Sequence, residues 1–407
     1  MKRYFSISLT TFIFSALNVL TYLLLGIIMG NTAYSEVFLI TYPLQYAVLV
    51  MSYFFASASN IRANREKNEN CVESGMILGI LFGLIVFLMP VIFVDGYMQF
   101  MNVDIEFYRT FTLMSFGQLF FSYVIGVIAE KLYYKNDDKK ANWCNIGFIV
   151  LNVVTVSVTA LITKTQWIIA TVNLSALLIY SVTWLALNLR KFHLDFSIKK
   201  NIRYESMYMF GDLLLFIIYL IGLKRVFGFG AEYSIALNFV ALVTDPQWDA
   251  IGTIAKISKI DISQCKYNYK TGLKNTSAVI MFYICTSVIL FFSLASIYDV
   301  VLKIGIIYLA IQIVDMVIDI FQTNLQPFML LEYSSIKTTI LGLGYKCIRT
   351  ILSLVIINPY NTNIGQIVAA VVGLTAFLYL RFKHYRLNKE GFLVRKLENF
   401  QKKKNRD

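Results

Sequence analysis

Five aspartates lie inside stretches that otherwise read as membrane-spanning: Asp212, Asp245, Asp249, Asp315 and Asp319. Two pairs, Asp315/Asp319 and Asp245/Asp249, are four residues apart, which on a helix stacks both carboxylates on one face. A carboxylate deep in a bilayer costs about 2.5–3.5 kcal/mol on insertion scales, so it turns toward a polar interior and marks an ion or substrate path. Two neighbouring carboxylates cannot both ionise cheaply: one keeps its proton, or a cation bridges them. The chemistry on offer is reversible binding of H+ or Na+. Pro246, between Asp245 and Asp249, removes a backbone donor and frees a carbonyl one turn back, which can serve as a neutral ligand where the helix lines a cavity. The expected ion-coupling set is Asp315 and Asp319, with Asp212, Asp245 and Asp249. The plainer alternative is that each Asp bonds to Lys, Ser, Thr or Asn on a neighbouring helix and fixes packing; Asp212 could instead pair with Arg203 or sit among headgroups.

Tyr42, Tyr46 and Tyr53 fall near one helical face. They could line a cavity and hold a flat or cationic molecule by stacking and cation–π contact, although core packing explains the same spacing. Other chemistry is missing from the sequence. There is no GxxxxGK[ST], HExxH or GxSxG. The five Cys form no CxxC pair, and His193 and His384 lie in charged connecting segments. The expectation is therefore a protein that is not an enzyme and carries no cofactor beyond a coupling Na+ or H+.

Long apolar elements must position these groups. The chain has 407 residues, 57% of them hydrophobic and 15% charged, with mean hydropathy +0.63. A helix needs roughly 20 mostly apolar residues to cross a bilayer. Twelve spans are predicted: 5–29, 33–59, 74–94, 106–129, 142–162, 166–189, 207–227, 232–254, 276–298, 304–330, 338–357 and 364–382. With the N-terminus inside, 32 of the 37 Lys and Arg fall in cytoplasmic segments, so both termini are assigned to the cytoplasm and the protein to the cell's inner (cytoplasmic) membrane. The net charge of +13 is thus a topological signal and implies no nucleic-acid partner. The basic tail, 386–407, anchors on anionic lipid at about 1 kcal/mol per basic side chain.

Thr41-Tyr42-Pro43 recurs as Thr244-Asp245-Pro246, an offset of 203. The same shift lays predicted span 5–29 on 208–232, 74–94 on 277–297 and 106–129 on 309–332. Six spans per half give a parallel repeat about an axis along the membrane normal. The expected division is a first lobe, 1–190, a cytoplasmic linker, 191–203, and a second lobe, 204–385. Shifted back by 203, the five aspartates land on Leu9, Tyr42, Tyr46, Thr112 and Phe116. Glu36, Glu106 and Glu130 of the first lobe lie close to span ends, where interface exposure explains them, so acidic charge within the spans is placed in one lobe only.

This layout, with the stretch TYPLQYAVLVMSYFFASAS (41–59), a third span bearing Gly75, Gly79 and Gly83, and Asn152 in the fifth, resembles the multidrug and toxic compound extrusion (MATE) family, within the superfamily that also holds lipid-linked oligosaccharide flippases. The resemblance implies an all-α membrane protein of two six-helix lobes around a central cavity. It implies export of a small organic molecule, driven by inward Na+ or H+ flow through alternating access. It also implies coupling carboxylates in spans 7 and 10, matched in kind by Asp212 and Asp315, with Asp319 one turn on. Many members carry an acidic residue in span 1. This chain has none between Leu9 and Gly30, and Asn18 is the most polar candidate there. Asn18, Tyr42 and Tyr46 are the expected cavity lining. The protein is expected to act as a monomer. The alternative in the same superfamily is a flippase for lipid-linked oligosaccharide or polysaccharide precursors, which needs cations facing the cavity. Lys224 and Arg225 are the few candidates.

Overall fold

A computed structural model describes residues 2–38, 40–41, 59, 62–63, 68, 70–101, 103–189, 220–226, 228–263, 269–296, 300–332, 347–348, 351–352, 355 and 358–387. Ten α-helices are described, with a 3-10 turn at Thr32–Ser35: α1 (Lys2–Met29), α2 (Asn70–Ile92), α3 (Val94–Met101), α4 (Ile105–Tyr134), α5 (Asp138–Ile162), α6 (Gln166–Asn188), α7 (Ala231–Ser263), α8 (Tyr269–Leu294), α9 (Leu302–Glu332) and α10 (Asn361–Leu387). No strand occurs among the described residues. Six of these helices are long and apolar enough to cross a membrane: α1, α2, α4, α5, α6 and α8. Uninterrupted helix is what the bilayer imposes, because every backbone polar group must be met within the segment. The predicted spans 33–59, 207–227 and 338–357 lie largely outside the described residues. The other nine each coincide with a helix to within a few residues at most boundaries, although α7 and α8 run further into the loop that joins them than predicted.

Helices pack within each half of the chain, and α1 bridges the two. In the first, α4 is the hub, packed against α2, α5 and α6, while α1 lies along α5. Asp104 caps α4 by accepting from the Phe107 amide. Gly83 lets α2 approach closely, since a Cβ there would fall on the buried Tyr123 ring of α4. At the end of the bundle assigned to the cytoplasm, Lys131 Nζ lies 2.7 Å from Glu73 Oε1 and donates to the Asn188 carbonyl at 2.7 Å, tying α4 to α2 and to the last turn of α6. In the second half α7 packs on α8 and α9, and α9 on α10. The halves meet where α1 packs along α7 and touches α8.

The amphipathic helix α3 was not predicted, because its eight residues follow span 74–94 and were counted as outer loop. It buries Val94, Met98 and Met101, and Tyr97 donates to the Ile40 carbonyl at 2.5 Å. Burial holds the Tyr97 phenol well above its ordinary pKa, so it remains a donor. Met101 clusters with Leu223, and the Lys224 ammonium sits 4.1 Å over the exposed Phe100 ring. One of the two candidate flippase cations is thus held at the exposed end assigned to the outside.

Candidate functional site

The second half places its acidic residues on α7 and α9. Asp315, midway along α9, is 6% exposed. One turn earlier on the same face, Gln312 accepts from the Trp248 indole N–H of α7 at 3.0 Å. The next residue, Met316, joins Ile251 of α7 and Ile280 and Ile284 of α8 in one apolar cluster. Asp315 is therefore buried beside the contact of three helices. Asp319 follows one turn later on the same helix, with its side chain outside the described set.

On α7, Asn238, Asp245 and Asp249 are spaced i, i+7, i+11 and form one stripe. Asn238 is buried, and its Oδ1 has no hydrogen-bond partner among the described residues. Asp245 is half-buried and Asp249 exposed. Pro246 is buried within the helix. Gln247, on another face, is 0% exposed, and neither its Oε1 nor its Nε2 has a partner among the described residues.

The first half buries a different polar set. Tyr22 of α1 donates to Gln118 Oε1 of α4 at 2.5 Å. Gln118 Nε2 donates to Asn152 Oδ1 of α5 and Asn173 Oδ1 of α6, both at 3.0 Å. Asn173 Nδ2 donates to Asn152 Oδ1 at 2.9 Å and to Thr155 Oγ1 at 2.8 Å. The four residues at the centre, Tyr22, Gln118, Asn152 and Asn173, are at most 4% exposed. Four helices are joined by amides and hydroxyls, with no carboxylate in the network. The Asn152 Oδ1 accepts two bonds, so its acceptor capacity is filled. Asn152 Nδ2 and Thr112 Oγ1 are buried without a partner among the described residues.

The offset of 203 can be followed into these side chains. Thr41 and Thr244 are both buried and make the same bond one turn back, to the Val37 and Val240 carbonyls, each at 2.8 Å. Thr112 corresponds to Asp315. Gln118, Asn152 and Asn173 correspond to Phe321, Val355 and Ala376. Tyr22 and Thr155 correspond to Arg225 and Asn358. The second half thus has apolar residues in place of three amides of the network, polar ones in place of Tyr22 and Thr155, and a carboxylate where the first has a buried hydroxyl.

No family model matches the sequence, and no curated protein sequence matches it. Solved structures do. One is a MATE in the bent conformation, with TM-score 0.68, 14% identity, and 95% of this chain and 96% of that one covered. The chain has the MATE fold. A second match is an outward-facing multidrug resistance MATE family transporter of the MOP superfamily, with TM-score 0.63, 15% identity, and 95% and 96% covered. A third is a MOP superfamily transporter from Pyrococcus furiosus described by a binding pocket of reversed polarity, with TM-score 0.68, 15% identity, and 95% and 96% covered. The MATE fold accounts for nearly the whole chain, and with it for the all-α membrane architecture expected from composition.

Within that fold, Asp315, Asp245 and Asp249 lie on the two packed helices α7 and α9, while Asn18 is half-buried on α1. Asp212, Tyr42 and Tyr46, with Tyr53, lie outside the described residues. Sequence reasoning passed over Tyr22, Gln118 and Asn173. The signal was available in Gln118 and Asn173, uncharged amides inside otherwise apolar spans, which need partners in lipid.

Proposed function

We propose that this MATE-fold chain is a cation-coupled secondary exporter of small organic molecules, acting as a monomer in a cytoplasmic membrane, with both termini inside. Inward movement of Na+ or H+ drives rocking of one lobe, 1–190, against the other, 204–385, about the linker 191–203. Asp315 is the principal coupling group, with Asp319 and Asp212 completing the site and Asp245 and Asp249 admitting the ion along α7. Tyr42, Tyr46 and Asn18 line the substrate cavity.

The observation that carries this reading is the burial of Asp315 at the α7–α8–α9 seam. A carboxylate held there switches local charge when a cation arrives, and the two charge states favour different packing of the seam. The flippase alternative needs cations in the cavity, and Lys224 is engaged with Phe100 at the outer rim. The test is ion-driven uptake in proteoliposomes under imposed Na+ and H+ gradients. Asp315→Asn with Asp319→Asn should abolish ion dependence while the protein stays folded in detergent. Undiminished ion-driven transport by that double variant sinks the proposal.

A further inference from the structure

The halves are packed together at the end assigned to the cytoplasm. There the first three turns of α1 lie against α7 and α8. The Ser8 and Tyr283 hydroxyls are hydrogen-bonded at 2.8 Å, and both residues are fully buried. Phe12 stacks on the Tyr283 ring with centroids 5.0 Å apart, and Phe5 meets Phe282 edge-on at 6.0 Å. Tyr4 and Ile7 of α1 share one buried cluster with Ala250 and Ile254 of α7 and Val279 and Tyr283 of α8. At the opposite end, Met101 and Leu223 share a smaller buried cluster, flanked by the exposed Phe100 and Lys224.

One residue works against the inner seam. Gln247 lies on the same face of α7 as Ala250 and Ile254, at i+3 and i+7. Its amide is fully buried, and both polar atoms lack partners among the described residues. Leaving such a group unmet penalises the arrangement that buries it. Any state that parts α1 from α7 lets water or a new neighbour satisfy it.

We infer that the first three turns of α1 are a spring-loaded cytoplasmic gate, latched by Ser8 and Tyr283 and biased toward opening by Gln247. This rests on the alternating-access reading above and adds to it the residues that set the balance. The latch and the spring act on one equilibrium with opposite sign. Truncating Tyr283 should populate the open state, and making Gln247 apolar should depopulate it.

The test uses spin labels at Lys139→Cys and Lys274→Cys, at the cytoplasmic ends of α5 and α8, in a full-length chain freed of its native Cys and held in nanodiscs. The parent should give one dominant short distance. Tyr283→Ala should shift population to a longer one, and Tyr283→Phe, which keeps the ring, should shift it less in the same direction. Gln247→Leu should remove the long component and raise Tm. Distances that do not move, or that move the same way for Tyr283→Ala and Gln247→Leu, overturn the gate. The gate and the exporter reading separate cleanly. Distances that respond as stated in a protein without ion-driven transport keep the gate and remove the exporter. Ion-driven transport with immobile distances does the reverse.

Discussion

The first half of the molecule joins four helices through linked amides and hydroxyls at its centre, whereas the second buries the Asp315 carboxylate midway along α9 and leaves both polar atoms of Gln247 unmet among the described residues. Tyr22, Gln118, Asn152 and Asn173 close a network across four helices. At the positions shifted from Gln118, Asn152 and Asn173 the second half has Phe321, Val355 and Ala376, with Asp315 in place of Thr112. A closed neutral network fixes the packing of its helices and does not titrate. A buried carboxylate changes charge and takes its surroundings with it. On the proposed reading, the first half would supply rigidity and the second the response to an ion.

The contrast can be broken at several points, in order of expected effect. Asp315→Asn should eliminate ion dependence of transport in proteoliposomes while leaving detergent Tm nearly unchanged. Lys131→Met, which leaves Glu73 without its buried partner, should cost about 3–5 kcal/mol in a denaturation series, with any remaining transport still ion-dependent. Thr112→Asp would place an acid in the first half at the position that corresponds to Asp315. It should destabilise by about 2.5–3.5 kcal/mol and restore some ion binding when combined with Asp315→Thr. Asn173→Ala, which strands its network partners, should cost about 1–3 kcal/mol with the Na+ or H+ preference intact. Tyr97→Phe, losing one bond to the Ile40 carbonyl, should cost about 1 kcal/mol in Tm measurements.

Much of this architecture was legible beforehand. The boundaries of α6 match the predicted 166–189 closely, because Thr163–Thr165 interrupts two apolar runs and leaves little freedom in where each helix ends. The offset of 203 was read from Thr41 and Thr244, whose backbone bonds match. The placement of Asp315 on a packed face followed from its charge. The amide network was not legible, because Gln118 on α4 pairs with Asn152 and Asn173, 34 and 55 residues away, and no spacing rule along the chain connects them. Helix α3 was missed because eight residues are too few to span anything and too short for periodicity to stand out from loop. The orphaned amide of Gln247 was invisible for a third reason: a residue type says nothing about whether its neighbours can bond to it.

The central claim is that coupling resides in the second half alone. It is tested most directly by ion flux into proteoliposomes under an imposed Na+ or H+ gradient, comparing the parent chain, Asp315→Asn and Asn173→Ala side by side. The account predicts flux in the parent and in Asn173→Ala, with the same ion preference, and none in Asp315→Asn. Flux that survives in Asp315→Asn and disappears in a folded Asn173→Ala would place coupling in the first half and contradict it.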